Sequence, residues 1–105
     1  MAAITVRCDP DGEGWICAVT LREAGIDIST HYIRVWAADL KRFAPKADDP
    51  EALVKQSFVF LLERESPQMI LRSFDLSVIE RFFPEYEAEI SRRMAPPPKE
   101  RDRRY

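Results

Sequence analysis

At 105 residues, 46% hydrophobic and 10% aromatic, the chain is sized for one folded domain with a single core. Its net charge of -2 conceals a division: residues 1–90 hold ten Lys/Arg against sixteen Asp/Glu, and residues 91–105 hold six against two. The acidic body argues against a surface built to grip phosphate backbones, and the longest apolar run, Phe58 to Leu62, is far too short for a membrane span.

The first third reads as strands. In "ITVRC" Ile4, Val6 and Cys8 alternate with polar residues, the period-two pattern of a half-buried strand. "DPDGEG" supplies turn formers in which Gly12 or Gly14 can take a positive φ. "WICAVTL" then places Trp15, Cys17, Val19 and Leu21 on one side. Pairing Ile4 with Leu21, Val6 with Val19 and Cys8 with Cys17 brings the two apolar faces together, the register that burial selects. "STHYIRVW" is a third strand, with His31, Ile33 and Val35 on one face and Tyr32, Arg34 and Trp36 on the other.

From there the pattern turns helical. "AADLKRFA" can form two turns before Pro45. Asp49-Pro50 is an N-cap acceptor followed by proline at the first helical position, and opens a helix running to about Arg64. Its broad apolar surface (Leu53, Val54, Phe58, Leu61, Leu62) marks a central helix covered on two sides. Ser66-Pro67 repeats the start signal for a short helix carrying Met69, Ile70 and Leu71. "DLSVIERFF" opens another, with Asp75 as its cap. Pro84 disfavours a smooth helix onward, so a break is expected near Phe83, followed by a segment with Tyr86 and Ile90 one turn apart. The expected architecture is α+β: a three-stranded antiparallel sheet followed by three or four packed helices, one domain over residues 1–94. Residues 95–105, with three consecutive prolines and alternating charges, read as a disordered basic tail.

Few chemistries fit. No phosphate-cradling loop or dinucleotide fingerprint occurs, so no cofactor is expected. Cys8, Cys17 and His31 can share one sheet face, but their spacing is not that of a zinc finger or ribbon, and small core cysteines are the preferred reading. Those cysteines are expected to be neighbours, reduced and free of metal. With "MAAITVRCD" lacking a secretory pattern, they place the protein in the cytoplasm. Glu63 and Glu65 flank Arg64, and Asp75, Glu80 and Glu85 cluster later. In so acidic a body such neighbours arise by chance, and they read as a solvated face with local Glu–Arg pairs. The chain is therefore not read as an enzyme.

The densest stretch is "FDLSVIERFFPEYEAEI", Phe74 to Ile90. Its rings are either core or contact surface. The chain carries more aromatic residues than so small an interior needs, which points to a face that meets another chain, with Phe83, Tyr86 and Ile90 as the candidate interface. The expected partner is a second copy in a homodimer, or another small protein, with nucleic acid less favoured. Residues 57–86, "SFVFLLERES…ILRSFDLSVIERFFPEY", resemble the C-terminal signature of a family of small bacterial proteins with no assigned activity. That resemblance transfers no role to any residue. The Ile4–Leu21 hairpin is more weakly similar to the antitoxin HicB, but "LREAGID" stands where that family has a Pro-x-x-Pro-Gly element. The function expected is a non-catalytic, self-associating interaction module; the alternative is a nucleic-acid-binding regulator or antitoxin-like partner.

Overall fold

A computed structural model describes residues 2–95. Three long strands, β1 (Ala3–Asp11), β2 (Gly14–Glu23) and β3 (Ile26–Trp36), form an antiparallel meander. The β1–β2 register joins Ile4 to Leu21, Val6 to Val19 and Cys8 to Cys17, as burial of one face requires. Both connections are two-residue turns. Gly12 takes φ 59° in the first, and Ala24 and Gly25 take φ 52° and 78° in the second, the pattern of a type I′ hairpin.

The chain then crosses through α1 (Ala37–Phe43) and α2 (Glu51–Leu62). The Asp49 carboxylate accepts the Glu51 N–H at the start of α2, but Pro50 stands at the N-cap and the helix begins one residue later than the Asp49-Pro50 signal placed it. A 3₁₀ turn at Pro67–Met69 leads to β4 (Ser73–Asp75), which pairs in parallel with β3. The sheet is therefore four-stranded and mixed, in the order β1-β2-β3-β4, and the expectation of three antiparallel strands is corrected. Three residues give no alternation to read, and Asp75 resembles a helix cap. A second 3₁₀ turn (Leu76–Val78), α3 (Ile79–Phe82) and α4 (Tyr86–Met94) complete the order. The break falls where Pro84 dictates, with Phe83 held extended at φ -133°, ψ 90°.

Helices cover one face of the sheet. Cys17, Val19, Leu21, Ile33 and Val35 beneath them are fully buried together with Leu53, Val54 and Phe58 of α2. On the other face Arg7, Tyr32 and Trp36 are exposed.

Cys8 and Cys17 are neighbours on the inward face, but they are joined by a disulfide, which corrects the expectation of reduced thiols. They sit directly opposite each other, with Cα atoms 3.9 Å apart. The cysteines consequently give no support to a reducing compartment. The expected tail, residues 95–105, lies outside the described residues apart from Ala95. Among the described residues no helix is long and apolar enough to cross a membrane.

Candidate functional site: an apolar groove beside α3

The break at Pro84 turns α4 back onto the domain. Tyr86 and Ile90 are fully buried there, so the expectation that they face a partner is corrected. The Tyr86 ring meets Phe43 and Phe60 edge-on, with centroids 5.2 Å and 5.3 Å away. Its hydroxyl lies 2.7 Å from Ser57 Oγ, which itself donates to the Leu53 carbonyl at 2.8 Å. Tyr86 is thus the donor to Ser57, and burial raises its phenol well above the ordinary tyrosine range. Ser57 is the buried polar partner that draws this ring inward. Nothing in the spacing of the sequence indicated it.

Phe83 is only half-buried and packs edge-on against Phe60 at 5.8 Å. It belongs to the wall of an apolar groove of about 280 Å³. Leu61 from the end of α2, Ile70 before β4 and Ile79 of α3 form the buried floor. The lip is made of Met69, Leu71 and Phe82, which are 68%, 53% and 66% exposed. Sequence reading put Met69 and Leu71 inside a short helix. Only three residues, Pro67–Met69, form a 3₁₀ turn, too short to have an inward face.

Glu65 is the one charged residue lining this groove, and it also lines a wider hollow of about 600 Å³ between β1 and α2. Burial raises its carboxyl above the usual range. Among the described residues it has no ion-pair partner. The other acids noted in the sequence are occupied. Arg42 binds Glu80 at 2.6 Å and Glu87 at 2.8 Å, Arg64 binds Glu85 at 3.0 Å, and Arg93 binds Glu63 at 2.8 Å. Asp75 accepts from Trp36 Nε1 at 3.3 Å. These are surface pairs that fasten α1 and α2 to the C-terminal helices, not carboxylates poised for acid–base work.

His31 holds the lip of the groove in place. Its Nδ1 donates to the Leu71 carbonyl at 2.7 Å, and Ser29 Oγ lies 2.9 Å from Nε2. With Nδ1 bearing the proton in a neutral ring, Nε2 accepts from Ser29. The imidazole is fully buried beside Phe58, with ring centroids 5.4 Å apart. Burial foremost, and the nearby Arg72 charge, lower its pKa despite the bond to Leu71. The folded-state pKa then lies below the unfolded value of about 6.5, so the unfolded chain binds the proton more readily. The resulting stability is complete above about pH 6.5 and is lost as the pH falls below it. Thermal melts from neutral to mildly acidic pH should show that decline. His31→Gln should flatten this part of the profile; an unchanged profile would show that another group is responsible.

No protein-family model, curated protein or solved structure matches this chain. The groove must be read from its own chemistry. It offers apolar contact, one partly desolvated carboxylate and no nucleophile–base pair. At about 280 Å³ it is smaller than most small-molecule sites, and it lacks the convergent polar groups that orient such ligands. One or two apolar side chains would fill it.

Proposed function

We propose that this chain is a non-catalytic protein-interaction module that associates with itself. The observation that carries this reading is the groove lip: three large apolar side chains, each more than half exposed, stand around an apolar hollow. Met69 suits such a surface because its thioether adapts to different neighbours, and Phe82 supplies a rigid aromatic anchor. The contact surface keeps Phe83 from the interface expected on sequence and moves outward from Tyr86 and Ile90 to Phe82, Met69 and Leu71.

The nucleic-acid alternative rests on the cations of residues 91–105, most of which lie outside the described residues; within the described residues it would use the open face of the sheet, where Arg22, Arg34, Tyr32 and Trp36 lie. It is the weaker reading. Arg22 is already paired with Asp27 at 2.7 Å and Arg34 with Asp11 at 3.1 Å, leaving few free cations to release counterions from phosphate.

Sedimentation velocity of the full chain over a wide concentration range should show mass action between monomer and dimer. A monomer at every concentration would overturn the self-association reading. A salt-sensitive mobility shift with nucleic acid would favour the alternative.

A further inference from the structure

Resting on that self-association reading, we propose that each groove receives Phe82 of a second copy of this chain in a two-fold contact, and that Glu65 there meets Arg81 of that copy. In a two-fold dimer the same patch appears on both sides, so it must be complementary to itself. This patch carries a protruding ring and an apolar hollow side by side: Phe82 stands 66% exposed on the lip of the space it would fill across the axis.

The charges are complementary in the same sense. Glu65 is a partly desolvated carboxylate with no cation partner among the described residues, an arrangement that costs stability until a cation reaches it. Its neighbour Arg64 is turned away, bound to Glu85, to Glu63 at 3.2 Å and to the Phe60 carbonyl at 3.1 Å. Arg81 is exposed, adjoins Phe82 on α3, and makes no ion pair among the described residues. A two-fold axis through the lip would form the Glu65–Arg81 contact twice while burying both Phe82 rings.

A small apolar ligand would satisfy the hollow but leave both Arg81 and Glu65 unpaired. Pairing of the free β1 edge with another β1 would give a dimer without using the groove. Charge exchange separates these cases. Phe82→Asp should weaken dimerisation by roughly 30-fold or more, the loss expected for a buried aromatic anchor. Glu65→Arg and Arg81→Glu should each weaken it by about tenfold or more, because each sets like charges face to face twice. An equimolar mixture of Glu65→Arg and Arg81→Glu chains should form a heterodimer close to wild-type strength, since one cross-axis pair is then native and the other is restored in reverse. Arg81 and Phe82 are exposed and Glu65 is half-buried in the groove wall, so unchanged circular dichroism and melting serve as the folding control.

If the wild type dimerises and these variants do so equally well, the contact lies elsewhere, and this inference fails while self-association stands. If Phe82→Asp weakens the dimer but the mixture does not recover, the Glu65–Arg81 pairing is overturned. If the wild type never dimerises, both readings fall.

Discussion

Tyr86→Ala should remove a large share of the folding stability. The ring is fully buried, edge-on to Phe43 and Phe60, and its hydroxyl satisfies Ser57 in the interior. Truncating a buried ring costs about 3–5 kcal/mol through lost transfer energy and a residual cavity. A domain of this size has only about 5–15 kcal/mol in total. Tyr86→Phe separates the two contributions. It keeps the ring and removes one donor, while Ser57 retains its bond to the Leu53 carbonyl, so the cost should be only about 1 kcal/mol. Urea unfolding followed by circular dichroism measures both. A Tyr86→Ala protein that keeps its stability and merely loses dimer mass would return the ring to the surface.

Gly14→Ala should destabilise the protein by about 3 kcal/mol or more, beyond what either turn glycine would cost, since overpacking against immobile atoms lies at the upper end of its usual range. Gly14 is buried at the start of β2, opposite Trp36 of β3. A Cβ there would collide with the Val35 carbonyl oxygen and lie 2.9 Å from Trp36 Cα. Both neighbours are backbone of a paired strand, which cannot yield without breaking the ladder. Gly12 has the opposite character: it needs φ 59°, but a Cβ meets nothing within 4 Å. Gly12→Ala should cost only the left-handed penalty of about 1 kcal/mol. Thermal denaturation of the two variants gives the order directly; equal losses would contradict the close approach at Gly14.

That contrast shows what the sequence could convey. "DPDGEG" announces a turn, but which glycine serves conformation and which serves space depends on Val35 and Trp36 at the far end of β3. The hairpin register was legible because only one pairing brings Ile4, Val6 and Cys8 against Leu21, Val19 and Cys17. The break at Phe83 was legible because a proline constrains its predecessor whatever surrounds it. β4 was not, since a three-residue parallel pairing leaves no periodic trace. The disulfide was hidden by an argument from compartment, even though the predicted register set the two cysteines opposite each other.

The placing of the aromatic rings was only partly legible. Those that reach the surface are Phe82, Tyr32 and Trp36, at 66%, 53% and 42% exposure. Tyr86 and Ile90, one turn apart on α4, form a stripe that looks the same whether it faces a partner or α2. The Ser57 hydroxyl decides between them, and its role appears only when α4 folds back. The groove is built from the ends of α2, a 3₁₀ turn, β4 and α3, so no single segment could reveal it.

The most direct test of the central claim is an isotope-filtered NOE experiment on a mixed dimer of labelled and unlabelled chains, which passes only contacts between copies. Cross-peaks should connect the Phe82 ring of one copy to the Leu61, Ile70 or Ile79 methyl groups of the other. A dimer without such cross-peaks would contradict the groove as the surface where two copies meet.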